Sequence, residues 1–187
     1  MKVLVTGAAG FIGSNLVHLL AAERPTWRIT ALDLLTYAGN LKNLASVFDS
    51  ERVSFARVDI SDEAAVTALF EKERFDLVFH LAAESHVDRS IMSSLEFVRT
   101  NVLGTQVLLD AALKTKVSRF VHISTDEVYG SLGPTGAFLE TTPLDPTSPY
   151  AASKAASDLM VLAFCKTHKM NASVTRCTNN FGPYHFP

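Results

Sequence analysis

Apolar residues fall into two rhythms along this chain. A short unbroken run at 3–5 and short stretches rich in apolar residues at 27–32, 53–58, 76–81, 120–123 and 172–177 read as strands. Between them lie longer stretches with apolar positions three and four apart, at 11–23, 62–72, 92–114 and 150–168, which read as helices. The helix at 11–23 is expected to bury Ile12, Leu16, Leu19 and Leu20 and to stop at Pro25. Ser61 is the expected N-cap of the helix at 62–72. In the helix at 92–114, Thr100, Asn101 and Gly104 interrupt the apolar stripe, either as a polar pair turned toward a ligand or as a local bend. Residues 36–44 read as a loop with a short helical turn, and the Gly-, Pro- and Thr-rich residues 131–149 as an irregular loop. Strands alternating with helices in this way predict an α/β fold, a doubly wound parallel sheet, with one domain over 1–187.

Composition narrows the class. The chain is 48% hydrophobic and 19% charged with net charge −2, a globular balance with no basic footprint for nucleic acid. No apolar run reaches bilayer length, and the first one is too short for a signal peptide and feeds directly into a glycine turn. Cys165 and Cys177 have no metal or redox spacing, so no metal site is expected and both read as small hydrophobes in a reducing cytoplasm.

The candidate chemistry begins at the first strand end. Gly7, Gly10 and Gly13 follow the apolar run of KVLVTGAAGFIG, and a helix starts at Phe11. Strand, glycine turn and helix start, in that order, make a Rossmann-type phosphate cradle: the backbone can approach a pyrophosphate whose charge sits at the helix N-terminus. Asp33 ends the second strand twenty residues after Gly13, where a carboxylate accepts from ribose hydroxyls and repels a 2′-phosphate. Leu34 and Leu35 supply no cation to welcome that phosphate, so NAD is favoured over NADP. Asp59 and Ile60 close the third strand at the place an adenine ring would occupy, one accepting from its amine and the other packing on it. Small Ala82 and Ala83 let backbone pass close to a cofactor, and Ser85, His86, Asp88 and Arg89 crowd polar groups onto the same loop.

Tyr150 and Lys154 lie four apart on one predicted helix and so share a face. An ammonium beside a phenol favours phenolate, so the expectation is a lowered Tyr150 pKa and a base usable near neutrality. The fifth strand delivers Ser124 and Thr125 to the same cleft. Glycine motif, Ser/Thr strand end and YxxxK together resemble the extended branch of the short-chain dehydrogenase/reductase superfamily. Asp126 and Glu127 follow the Thr125 hydroxyl directly, and two carboxyls in one pocket can divide acid and base roles. With those acids, STDEVYG, HLAAESHVDRSI, YAASKAASD and NNFGPYHFP resemble the dTDP-glucose 4,6-dehydratase family.

The resemblance implies a lyase with an internal redox cycle on a nucleotide sugar, using tightly bound NAD. Tyr150 would take the 4-hydroxyl proton, Glu127 the C5 proton, and Asp126 would protonate the departing 6-hydroxyl. Thr125, Ser85 and Asn179 would hold the sugar, and Asn180 would face the cofactor. Further cofactor contacts carry over to Phe11, Ile12, Asp33, Leu34, Leu35, Thr36, Asp59, Ile60, Leu81, Ala82, Ala83, Glu84, Ser85, Thr100, Ser124, Tyr150 and Lys154. The resemblance also implies a homodimer through the helices at 92–114 and 150–168, for which Leu103, Val107, Leu159 and Leu162 are candidates alongside plain core packing. Family members continue into a smaller C-terminal domain that grips the nucleotide. The expectation is therefore a chain that binds NAD and turns over dTDP-glucose poorly or not at all. A 4-epimerase or decarboxylase of the same branch shares the glycines and YxxxK but not the expected acid pair. A GDP-mannose dehydratase would keep the glutamate without the Thr-Asp-Glu run. A non-catalytic NAD-binding module is the alternative of a different class.

Overall fold

The computed structural model describes residues 1–48 and 51–185. Six strands form one parallel sheet: β1 (Lys2–Thr6), β2 (Arg28–Leu32), β3 (Val53–Ala56), β4 (Leu77–His80), β5 (Arg119–Thr125) and β6 (Ala172–Cys177). Their order is β3-β2-β1-β4-β5-β6, as the alternating pattern predicts for a Rossmann-type sheet. All five pairings are parallel, so every strand delivers its last residue to the same edge. The order reverses between β1 and β4, and a crevice opens above that point.

The helices α1 (Phe11–Glu23), α2 (Glu63–Glu73), α3 (Val87–Met92), α4 (Leu95–Phe97), α5 (Gly104–Thr115) and α6 (Pro149–His168) cover both faces. One apolar core joins Leu4, Val78 and Phe120 of the sheet to Phe70, Leu108 and Phe164 of α2, α5 and α6. A second joins Val3, Val5 and Ile29 to Val17, Leu20 and Leu44 beneath α1 and a 3₁₀ turn at Leu41–Val47. Burial on both faces explains why the central β1 reads as an unbroken apolar run, whereas β5 alternates and the edge strand β6 is only half-buried.

Three expectations need correction. α1 buries Gly13, Ser14, Val17 and Leu20, while Leu19 is 57% exposed and Ile12 39%. The reason is the close approach of its first turn to β1: a Cβ at Gly13 would collide with the Gly7 carbonyl, so small residues face the sheet there. Asp62, not Ser61, caps α2, its carboxylate accepting from the Ala65 N–H at 3.0 Å. Ser61 is instead held by Asp59, which accepts from its N–H and its hydroxyl at 2.8 Å each. The stretch at 92–114 is not one helix. It breaks at Ser93, and a π-helical turn at Val98–Leu103 separates α4 from α5. Asn101 sits in that turn, 1% exposed, its side chain drawn inward by three hydrogen bonds. Val107 belongs to the core, whereas Leu103, Leu159 and Leu162 are exposed.

Candidate active site

A cleft of about 470 Å³ lies over the carboxyl edge of the sheet. Its floor begins at the glycine turn. Gly7 has φ +66°, and a Cβ there would stand 2.7 Å from the Ala82 nitrogen, so only glycine lets β1 and the turn after β4 meet. Gly10 caps α1 without a side-chain bond, which leaves the amides of the first turn aimed into the cleft. Asp33 is 8% exposed and accepts from the N–H of Ala9 at 2.9 Å and of Leu35 at 2.8 Å, which fixes its carboxylate at the cleft wall. These features fit a dinucleotide: a cradle free of side chains for the pyrophosphate and a rigid acceptor for a ribose.

Most of the predicted contacts line this cleft. Gly7, Gly10, Phe11, Ile12, Gly13, Asp33, Leu34, Thr36, Asp59 and Ile60 lie on one side. Leu81, Ala82, Ala83, Glu84, Ser85 and Thr100 lie in the middle, and Ser124, Thr125, Glu127, Tyr150, Lys154, Asn179 and Asn180 at the far end. Two do not line it. Leu35 takes φ +60° and turns its side chain into the core under α1. Asp126 stands beside the cleft, half-buried, where its Oδ1 accepts from the Thr125 hydroxyl at 3.4 Å. Asp59 reaches the cleft already engaged, with Arg99 3.4 Å from its free oxygen. The sequence reading missed Gly39, Cys177, Thr178 and His185. Gly39 had a signal only as the glycine of the loop at 36–44; in the structure a Cβ there would crowd the Asp33 carboxylate at 2.7 Å. His185 had none: it reaches the cleft by stacking on Phe11, 4.6 Å between ring centres.

Buried hydrogen bonds tie the two ends of the cleft together. The N–H groups of Leu81 and Ala82 donate to Thr6 Oγ1 at 3.1 Å, leaving that hydroxyl to donate to His80 Nδ1 at 2.8 Å. Thr105 spends its hydrogen on the Asn101 carbonyl, so it accepts from His80 Nε2 at 2.9 Å, and the ring is the neutral Nε2–H tautomer. Burial, and then the neighbouring His122 and Lys154, hold His80 well below its usual range. Asn101 bridges the Glu84 backbone to Ser153 Oγ, and Ser153 donates to the Tyr150 carbonyl. The π-helical turn thus couples the loop after β4 to the helix carrying Tyr150.

The electrostatics at the far end reverse one expectation. Tyr150 is not lowered but raised, first by burial and then by Glu127 and Cys177, with the Thr125 hydroxyl acting the other way. Lys154 Nζ donates to the Ile123 carbonyl at 2.8 Å, so its hydrogen bond goes to the strand rather than the phenol. Burial pulls Lys154 down to about 8, with Asp158 and Cys177 opposing. Glu127 is raised by burial and by Asp126, the direction a carboxyl needs to act near neutrality.

A family model described as GDP-mannose 4,6 dehydratase matches residues 4–187. The chain belongs to that family. Within it, the chain is 54% identical to the dTDP-glucose 4,6-dehydratase of Actinoplanes sp., over all of this chain and 59% of that one. The crystal structure of DesIV, a dTDP-glucose 4,6-dehydratase from Streptomyces venezuelae with NAD bound, superposes with TM-score 0.94 at 49% identity, over all of this chain and 58% of that one. A UDP-glucose 4-epimerase complex with NAD from Thermus thermophilus superposes at 0.85 with 34% identity, over 94% of this chain and 54% of that one. The chain therefore spans a little over half the length of the dehydratases it resembles. No helix among the described residues is long and apolar enough to cross a membrane.

Proposed function

We propose that this chain is the cofactor-binding and catalytic part of a dTDP-glucose 4,6-dehydratase. The observation that carries the reading is convergence: the glycine cradle, Asp33, Tyr150, Lys154, Thr125 and Glu127 all line one cleft. NAD is the cofactor the cradle suits; when bound it would accept the hydride leaving C4 and return it to C6, and its positive charge would favour the Tyr150 phenolate. Tyr150 takes the proton of the sugar 4-hydroxyl, with the Thr125 hydroxyl positioned to bond the same oxygen. The resulting 4-ketone acidifies the C5 hydrogen, which Glu127 removes. Asp126 protonates the 6-hydroxyl as it leaves, giving a 4-keto-6-deoxy sugar after reduction at C6. Ser85 and Asn179 hold the sugar, and Asn180 the cofactor. Exposed Leu103, Leu159 and Leu162 are the surface through which a homodimer would pack, in the cytoplasm.

Single-turnover conditions suit a chain of this relative length. The NAD-loaded chain is mixed with dTDP-glucose in heavy water, and the near-ultraviolet absorbance of NADH and the product mass are followed. A transient NADH signal and a product lighter by one water, carrying solvent deuterium at C5, support the reading. Inversion at C4 without loss of water points to an epimerase. NAD binding with no NADH signal leaves only a cofactor-binding module.

A further inference from the structure

The column of polar residues on α6 does not end at Lys154. Tyr150, Lys154 and Asp158 are each four apart, so they stack on one face of the helix. Asp158 is fully buried and lies off the cleft, outside the chemistry described above. A carboxylate so placed is costly unless paired, and two strands supply partners. Arg176 of β6 donates through Nε to Oδ2 at 2.8 Å. His122 of β5 brings Nε2 to 3.4 Å from Oδ1. Ser157 donates its hydrogen to the Lys154 carbonyl at 2.8 Å, so it must accept from His122 Nε2 at 3.1 Å, and that nitrogen carries the proton. His122 is thus a neutral donor aimed at α6, and Arg176 is held in turn by the Tyr129 hydroxyl at 2.6 Å.

We propose that Asp158 is a positioning residue for Lys154: the buried counter-charge, one helical turn below, that keeps the lysine an ammonium at the cleft, with Arg176 fixing the carboxylate. This rests on the assignment of Lys154 to the catalytic cleft. Besides Asp158 on its own helix, Lys154 has titratable neighbours on β4, β5 and β6. Asp158 and Cys177 favour its proton, and burial opposes it. His80 of β4 and His122 of β5 are neutral and add no charge. Arg176 of β6 draws on the same carboxylate as Lys154 and so competes for it. On Asp158 itself burial acts upward, and the neighbouring His122, Arg176 and Ser124 outweigh it, holding the carboxyl below its usual range.

The competition makes a test that a merely structural role would not pass. The Lys154 amine is titrated directly in the cofactor-free chain by NMR of carbon-labelled lysine, with Lys154→Met locating its signal. Asp158→Asn is expected to weaken proton binding at Lys154 about tenfold or more. Arg176→Gln is expected to strengthen it, and Asp158→Glu to restore the parent midpoint. Opposite shifts in the two variants support the proposal. A folded Asp158→Asn chain whose Lys154 midpoint has not moved overturns it. If that variant does not fold, an Arg176→Gln midpoint that is unchanged or lower overturns it equally. No NAD or sugar enters the measurement, so the outcome is independent of whether the chain is a dehydratase.

Discussion

Replacing Lys154 by methionine should stabilise the fold at neutral pH, and by an amount that depends on pH. Lys154 is 4% exposed and titrates near 8 in the folded chain, against 10.5 for an ordinary lysine. The difference corresponds to about 3 kcal/mol of stability withheld at neutral pH, where the folded state must bury an ammonium. The unfolded chain binds the proton more tightly, so stability rises with pH between about 8 and 10.5 and the cost is gone above that window. Methionine fills a similar volume without charge but forfeits the bond to the Ile123 carbonyl, worth about 1 kcal/mol at any pH. The variant should therefore be about 2 kcal/mol more stable at pH 7, and this lead should vanish or reverse by pH 10.5. Urea unfolding of both chains, followed by fluorescence of Trp27, the single tryptophan, measures the gap directly. Other groups that titrate at alkaline pH act on both proteins and cancel in the difference. A gap that stays constant from pH 7 to 10.5 would refute the reasoning, because it would mean that the folded chain does not perturb Lys154.

Two further outcomes test the cofactor cradle. Gly7→Ala should cost more than about 2 kcal/mol in urea unfolding and abolish NAD binding, since φ +66° and a backbone atom 2.7 Å from the new Cβ leave it no room. A stable variant with unchanged NAD affinity would show that β1 and the turn after β4 can separate freely. Asp33→Asn keeps one acceptor oxygen but loses the charge, so NAD affinity by calorimetry should fall about tenfold and discrimination against NADP should shrink. Equal affinity for NAD in variant and parent would remove Asp33 from the ribose site.

Much of the cleft was legible because its parts are local. Gly7, Gly10, Gly13 and Asp33 sit at strand ends, and strand ends share one edge once the sheet is parallel. Ser124, Thr125 and Glu127 follow by the same logic from β5. The errors arose where a neighbour distant in sequence decided the outcome. Leu19 has the right spacing for a buried stripe, but the contact of Gly13 with the Gly7 carbonyl sets the rotation of α1 and leaves Leu19 outside. Asn101 read as either a ligand-facing polar residue or part of a bend, because its partners are Glu84 and Ser153, 17 and 52 residues away. Leu35 has nothing in its identity to announce a left-handed backbone.

The order of apolar runs and helical stretches determined the sheet, its strand order and the edge on which chemistry is possible, since hydrophobic burial and parallel crossovers leave few other arrangements. Tertiary structure alone decided the protonation balance. Spacing on α6 put Tyr150 and Lys154 on one face, yet the sign of the shift at Tyr150 came from burial and from Glu127 on another element. Charge state depends on the full set of neighbours and on the water they exclude, and both exist only once the strands have met.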